Sequence, residues 1–144
     1  MIEPLRLSFE VACSQEHAFA TWTERIGAWW PRSHSVSGDP ARVVLEPRLG
    51  GRLFERTPSG EEIAWGEVTV WEPPRRLGYL WHLRRDPADA TDVEITFTER
   101  GARTTRVEIE HRGWERLADG ATWRERNQQA WSSLLPRYQE AIER

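Results

Sequence analysis

The alternation of apolar and polar residues predicts a chain made mostly of short strands and closed by one long helix. In the first strand every second position is apolar, as in strands with one buried face: Leu5, Leu7, Phe9 and Val11. Six more strand patterns follow, separated by turn sequences rich in Gly, Pro and Asp: Val43–Glu46, Gly51–Arg56, Glu62–Trp71, Leu77–Arg84, Asp92–Thr98 and Thr104–His111. Short connections between successive strands favour an antiparallel sheet.

The last stretch, Asp119–Ile142, predicts a long amphipathic helix. Its apolar residues recur at three- and four-residue steps: Trp123, Ala130, Trp131, Leu134, Tyr138, Ala141 and Ile142. Asn127 interrupts this stripe, where a polar group needs a partner, a water or a ligand. Pro136 falls inside the helix, where we expect a kink that follows the sheet or opens a cavity.

Two short helices are predicted between the first and second strands. Ser14 caps a helix that runs to about Glu24. A second helical turn carries Ile26, Trp29 and Trp30, and it ends before Pro31.

The strand patterns also predict which side chains face inward. His111 continues, in phase, an inward series formed by Val107 and Ile109, and Val93, Ile95 and Phe97 alternate in the same way. A second inward set consists of Leu77, Tyr79, Trp81 and Leu83. The phase of Glu62–Glu72 is ambiguous, so Glu67 is read either as exposed or as a buried carboxylate with a raised pKa.

Composition narrows the class of protein. The 144 residues predict one domain, 1–144, and the net charge of −3 comes from 20 basic and 23 acidic residues mixed along the chain, so we expect neither a nucleic-acid nor a membrane partner. Met1–Cys13 has no basic region followed by an apolar core, which favours a cytoplasmic location. Cys13, the only cysteine, adjoins a predicted helix N-terminus that could lower its pKa, but we interpret it as structural.

The usual catalytic arrangements do not occur in the sequence. The four histidines, His17, His34, His82 and His111, are scattered without metal-ligand spacing, and the sequence has no nucleophile elbow, Walker loop or dinucleotide-binding glycine motif. We therefore assign no catalytic residue and expect no metal ion or cofactor.

An ordered set of short motifs resembles the SRPBCC or START-like superfamily, in particular its branch related to the activator of heat-shock protein 90 ATPase. These motifs are Trp29-Trp30-Pro31, Leu49-Gly50-Gly51-Arg52, Gly66-Glu67-Val68, Glu72 to Leu77, Tyr79-Leu80-Trp81, Thr91-Asp92-Val93, Thr105-Arg106-Val107, His111 to Trp114, and Trp131. The resemblance implies an α+β helix-grip fold, in which a curved antiparallel sheet of about seven strands wraps the C-terminal helix. It also implies a cavity between sheet and helix, roofed by the two short helices.

Nine tryptophans make an aromatic-walled pocket the natural candidate for the site. The candidate ligand-binding residues are Trp30, Trp65, Tyr79, Trp81, His111, Asn127 and Trp131. The alternative is that the indoles fill the core and that His111 is held by hydrogen bonds within the protein.

The sequence is compatible with three functions. Members of the superfamily bind sterols, lipids, polyketides, hormones or antibiotics, and a minority are cyclases, hydrolases or co-chaperones. The first hypothesis is therefore a binding protein for a small hydrophobic molecule of lipid, polyketide or aromatic class. The second is a cyclase or hydrolase, which a carboxylate beside His111 would favour. The third is a chaperone regulator, which a contiguous exposed apolar patch would favour. The pattern predicts no particular oligomeric state.

Overall fold

The computed structural model describes residues 2–143 and contains one seven-stranded sheet and two α-helices within them. The strands are β1 (Leu5–Val11), β2 (Arg42–Leu45), β3 (Arg52–Arg56), β4 (Glu62–Glu72), β5 (Arg76–Trp81), β6 (Thr91–Gly101) and β7 (Thr104–Arg112). The helices are α1 (Gln15–Trp22) and α2 (Gly120–Glu143). The strand order is β1-β7-β6-β5-β4-β3-β2 and every pairing is antiparallel. The predicted α+β helix-grip fold is confirmed.

The predicted inward series on β6 and β7 is also confirmed. Val93 pairs with His111, Ile95 with Ile109, and Phe97 with Val107. All six side chains are at most 2% exposed. Alternation identified them because one face of this strand pair packs entirely on the core.

The ambiguous phase of β4 has a structural cause. The register against β3 shifts between Leu53 and Phe54, and the register against β5 shifts between Val68 and Val70. Each shift is a β-bulge, which lets the strand turn a different residue inward. Trp65 and Val68 are consequently both buried, whereas Glu67 is exposed and is not a buried carboxylate.

The prediction that the fifth strand continues to Arg84 was wrong. Strand β5 ends at Trp81, and Arg84 has φ of 62°, a left-handed conformation that a strand cannot contain. The apolar alternation through Leu83 misled the prediction, because Leu83 is half-buried against a cavity and belongs to no strand.

The two predicted short helices differ in kind. Ser14 caps α1 by accepting a hydrogen bond from the His17 backbone N–H at 3.2 Å, as predicted. The second predicted helical turn is only a 3₁₀ turn, Ile26–Ala28, and a further 3₁₀ turn, Arg32–His34, follows Pro31. Cys13 is buried, and burial raises the pKa of its thiol against the opposing charge of Arg25, which is the opposite of an activated cysteine.

Helix α2 closes the concave side of the sheet. Near its C-terminal end the Tyr138 hydroxyl donates a 2.8 Å hydrogen bond to the Ala18 carbonyl, which ties α2 to α1. Pro136 lies inside α2, and the helix continues through it to Glu143. The buried side chains of sheet and helices form one hydrophobic cluster.

Candidate functional site

A cavity of about 400 Å³ lies beneath the N-terminal half of α2. One wall is the end of β5 and the residues after it, the opposite wall is α2, and the 3₁₀ turn Arg32–His34 borders the cavity. The lining consists of Trp30, Ser33, His34, Tyr79, Trp81, Leu83, Arg84, Trp123, Arg126, Asn127, Gln129, Ala130, Trp131, Ser133 and Leu134. Of the two short helices expected to roof the cavity, α1 does not contribute to the lining, whereas Trp30 from the second predicted turn does, together with Ser33 and His34 after it.

Indole rings that contact one another form the inner wall of the cavity. The Trp30 ring lies 5.7 Å from the Trp81 ring and 5.4 Å from the Trp65 ring, and the last two are 6.0 Å apart. Trp65 is fully buried behind Trp81 and does not line the cavity. Such tilted and edge-to-face contacts hold large side chains in fixed positions. Trp81 is therefore presented to the cavity by a rigid aromatic support.

Arg84 fixes the segment that borders the cavity. Its Nε and Nη2 atoms donate to the Ser35 carbonyl at 3.0 and 2.7 Å, and Nη2 also donates to the Ser33 carbonyl at 3.1 Å. The left-handed backbone at Arg84 is uncommon for a residue other than glycine and is maintained here by these tertiary contacts.

Glu55 fixes the same segment from the sheet. Its carboxylate is 0% exposed and accepts hydrogen bonds from the Val36 N–H at 2.6 Å, the Ser37 hydroxyl at 2.5 Å and the Trp65 indole at 2.9 Å. Burial raises the pKa of Glu55, but these hydrogen bonds outweigh burial and hold the pKa below its ordinary value. The carboxylate is therefore a charged structural anchor.

His111 is held within the protein, as the alternative reading of the sequence expected. Trp131 Nε1 donates to His111 Nδ1 at 3.1 Å, so Nδ1 is the acceptor and Nε2 carries the proton toward Thr91 Oγ1 at 2.8 Å. Burial, and to a smaller extent the charge of Arg85, lower the pKa of His111 to about 3. The ring is neutral at physiological pH and lies outside the cavity lining.

Two further buried polar groups are the hydroxyl of the cavity-lining Tyr79 and the indole N–H of Trp22. Among residues 2–143, neither the Tyr79 hydroxyl nor the Trp22 indole N–H has a hydrogen-bond partner of normal geometry. Burial raises the pKa of Tyr79 well above its ordinary value, and the nearby Trp22 N–H opposes this only weakly. The phenol is therefore protonated throughout the physiological pH range.

The structure brings together five of the seven candidate ligand-binding residues around the cavity, and these five are Trp30, Tyr79, Trp81, Asn127 and Trp131. Asn127 donates through Nδ2 to the Trp123 carbonyl at 2.8 Å, which leaves its Oδ1 as the acceptor at the lining. Trp65 and His111 lie behind the wall. Sequence reasoning missed His34, Arg84 and Arg126, because nothing periodic marks them.

Groups that imply other chemistry are not found in the described part of the chain. Residues 2–143 contain no cluster of three or more His, Cys, Asp or Glu side chains arranged to hold a metal ion. Within the same range, neither helix has the length and apolar character needed to cross a membrane.

Known structures resemble this chain over most of its length. Txn09, an anthrahydroquino-gamma-pyrone synthase whose structure is complexed with SUM, shares 38% identity at a TM-score of 0.62, over 86% of this chain and 85% of Txn09. CalC from Micromonospora echinospora, a self-sacrificing resistance protein, shares 28% identity at a TM-score of 0.74, over 98% of this chain and 94% of CalC.

A more distant structure shows the fold alone. DynU16, a protein of the dynemicin biosynthetic locus, shares 18% identity at a TM-score of 0.69, over 99% of this chain and 48% of DynU16. No curated protein matches the chain significantly. The family model described as activator of Hsp90 ATPase homolog 1-like protein matches residues 12–143. On this match and on the identity to Txn09, the chain belongs to the activator of Hsp90 ATPase homolog 1-like family, within the SRPBCC proteins of helix-grip fold.

Proposed function

We propose that this protein binds a small planar aromatic molecule of the polyketide class in the cavity beneath α2. The observation that carries the proposal is the combination of volume and lining: about 400 Å³, walled by Trp30, Tyr79, Trp81, Trp123 and Trp131. Cavities of this size that combine aromatic and aliphatic walls with polar groups are typical of small-ligand sites, and here the largest lining side chains are aromatic. Flat indole faces favour a flat ligand.

The relatives support the same class of ligand. Txn09 is named for synthesis of an anthrahydroquino-gamma-pyrone, and it shares 38% of its residues with this chain in the matched region. CalC is a resistance protein of comparable fold at 28% identity. The product named for Txn09 favours an aromatic natural product over a sterol or a fatty acid as the ligand of this cavity, and CalC supports the shared fold.

Fluorescence titration with native mass spectrometry tests the proposal. A planar polycyclic aromatic compound should quench the tryptophan emission saturably and give a one-to-one adduct, whereas sterols and fatty acids should do neither. Trp81→Ala should weaken binding about tenfold or more, because loss of one stacking surface removes roughly 1–3 kcal/mol of contact.

The matched control is Trp71→Ala. Trp71 is half-buried and packs on Phe19 at 5.2 Å, away from the cavity lining. Binding by this variant should equal that of the unmodified chain. Absence of binding by every compound, or an equal loss in both variants, would contradict the proposal.

An acid–base role for the same cavity is the second candidate, and His34 favours it. Its imidazole lines the cavity, and burial lowers the pKa of His34 while the charges of Arg84 and Arg137 lower it further. A neutral imidazole at pH 7 is suited to accept a proton from a bound ligand. The carboxylate beside His111 that would have favoured an enzyme does not occur in the cavity lining.

The chaperone-regulating hypothesis has the weaker support. Among residues 2–143 the exposed large hydrophobic side chains are Val36, 41% exposed, and Leu49, 68% exposed. Two such side chains do not make the contiguous apolar patch of several hundred Å² that marks a docking surface. We therefore place the small-molecule hypothesis first.

A further inference from the structure

The charge of the cavity lining is one-sided. Arg84 and Arg126 contribute guanidinium groups, and the fifteen lining residues include no Asp or Glu. This positive lining occurs in a chain whose net charge is −3. The positive charge of the cavity lining is therefore local and does not follow from the overall composition.

Most arginines on the strands are paired with carboxylates, for example Arg6 with Glu110 at 3.2 Å and Arg76 with Glu94 at 3.2 Å. None of the ion pairs formed within residues 2–143 includes Arg84 or Arg126. The two cavity guanidinium groups are thus left without the counter-charge that the sheet arginines have.

Both guanidinium groups are oriented by neutral partners. Arg84 uses Nε and Nη2 on the Ser33 and Ser35 carbonyls, which leaves its Nη1 edge free of those bonds. The Arg126 guanidinium carbon lies 5.1 Å from the centre of the Trp123 ring, a cation–π contact that uses no N–H···O bond. Because these partners are neutral, they hold each guanidinium group in place and do not cancel its positive charge.

The histidine of the lining, His34, is affected by one of these two charges. It lies in the same lining, and after burial the next causes of its lowered pKa are the positive charges of Arg84 and Arg137. A neighbouring cation disfavours a second positive charge. The same field attracts an anion.

We propose that the cavity selects an anionic aromatic ligand, whose carboxylate or phenolate lies against Arg84 and Arg126 while its planar body lies between the indoles. The inference rests on the proposed function and adds the charge of the ligand to it. Guanidinium groups recognise carboxylates through paired N–H···O bonds, and partial enclosure by aromatic walls strengthens that attraction relative to open water. A cationic or neutral aromatic of the same shape lacks this contact.

The test compares two probes of nearly identical shape, anthraquinone-2-carboxylate and anthraquinone-2-carboxamide, by fluorescence titration at pH 7.5. We expect the carboxylate to bind about tenfold more tightly, because one charge-assisted hydrogen bond of this kind corresponds to about one factor of ten. The preference should shrink as salt is raised from 20 to 500 mM, since Arg84 and Arg126 are both exposed to solvent.

Three variants localise the effect. Arg126→Gln should weaken carboxylate binding about fivefold to tenfold more than it weakens carboxamide binding. Arg84→Gln should do the same, with a thermal melt to establish that the segment around Ser35 stays folded. Arg103→Gln is the control of equal charge change, because Arg103 is exposed in the turn between β6 and β7, far from the lining. It should leave both affinities unchanged.

Each outcome decides the inference. A carboxylate preference that is lost in Arg126→Gln and kept in Arg103→Gln supports it. Equal binding of the two probes, or a preference unaffected by Arg126→Gln and Arg84→Gln, overturns the anion site while the proposed aromatic cavity stands. If neither probe binds and the neutral aromatic compounds also fail, the proposed function falls together with the inference.

Discussion

The interior beneath α2 has two halves that are equally aromatic and differently covered. Toward the C-terminal end of α2, Trp22, Trp29 and Tyr138 pack with ring centres 4.8 to 5.3 Å apart and are at most 2% exposed. Toward the N-terminal end, Trp81 and Trp123 are only half-buried and border the cavity. We call these the closed half and the open half.

The difference lies in the covering element. Helix α1 inserts Trp22 into the closed half, and Tyr138 bonds to its backbone. The open half is bordered by the segment 31–39, which contributes Ser33 and His34 but no large apolar side chain to the lining. An aromatic-rich interior thus becomes core where a helix fills it and cavity where a polar segment spans it. Aromatic composition alone does not distinguish the two outcomes.

The largest expected effect contrasts Trp22→Ala with Trp81→Ala. Truncating Trp22, which is 0% exposed, should lower the free energy of unfolding by about 3–5 kcal/mol, as large-to-small changes in packed cores do. Truncating Trp81 should lower it by about 1 kcal/mol, because its ring already borders open space. Urea denaturation followed by far-UV circular dichroism measures both. Equal losses would mean that the two halves do not differ in packing.

A second, smaller effect concerns the cover of the open half. Glu55→Gln removes the charge that holds Val36 and Ser37, and it should cost about 2 kcal/mol, the value of a hydrogen bond to an ionised group. Amide exchange at Val36 and Ser37 should accelerate more than exchange in α1. Glu67→Gln on the exposed face of β4 is the control and should change neither quantity.

The pH dependence of that anchor follows from the lowered pKa of Glu55. A carboxyl whose folded pKa lies below its unfolded value near 4.5 contributes stability that is complete above about pH 4.5 and is lost as the pH falls toward the folded value. Glu55→Gln should therefore differ from the unmodified chain by less at pH 3 than at pH 7. A constant difference would contradict the assignment of a charged anchor.

A third expected effect is the pH response of His111, which lies behind the open half. The pKa of His111 is lowered from 6.5 to about 3. Between these two pH values the unfolded chain therefore binds a proton at this residue and the folded chain does not. Stability should be complete above about pH 6.5 and fall by about 1.4 kcal/mol per pH unit as the pH drops toward 3. His111→Gln keeps a donor and an acceptor but does not titrate.

Urea denaturation at half-unit pH steps between 5 and 6.5 isolates this contribution, because carboxyl groups are mostly ionised there. The slope of unfolding free energy against pH should be smaller in His111→Gln by the equivalent of one proton. His34 and His82, whose pKa values are also lowered, contribute equally to both proteins. Parallel slopes would show that His111 is not held neutral.

The fold was accessible from sequence because its signals are local and repeated. Alternation identified each strand, and the stripe through Trp131, Leu134 and Tyr138 identified α2. Tertiary contacts override alternation in two places: the bulges of β4 left its phase ambiguous, and the backbone at Arg84 made the predicted end of β5 wrong. Glu55 was overlooked although it alternates in phase with Leu53, since an acidic residue in a short strand is normally read as exposed.

The site was accessible only in part. Inward phase placed Tyr79, Trp81 and His111 in the interior, yet the same phase describes a cavity wall and a packed core. Whether a residue lines the cavity depends on which segment covers the interior at that point. The covering segment around His34 has no periodic pattern of apolar residues that could predict its position. Arg84 and Arg126 come from distant parts of the chain, and the fold places both of them in the lining of one cavity.

The left-handed backbone of Arg84 carries a cost that its own side chain offsets. A glycine there would avoid a conformational cost of about 1 kcal/mol, but it would also remove the three hydrogen bonds to the Ser33 and Ser35 carbonyls. Arg84 is therefore a structural tie of the cavity border as well as a cation of the cavity lining. A thermostabilised form of this protein should keep Arg84 fixed and gain its stability in the closed half.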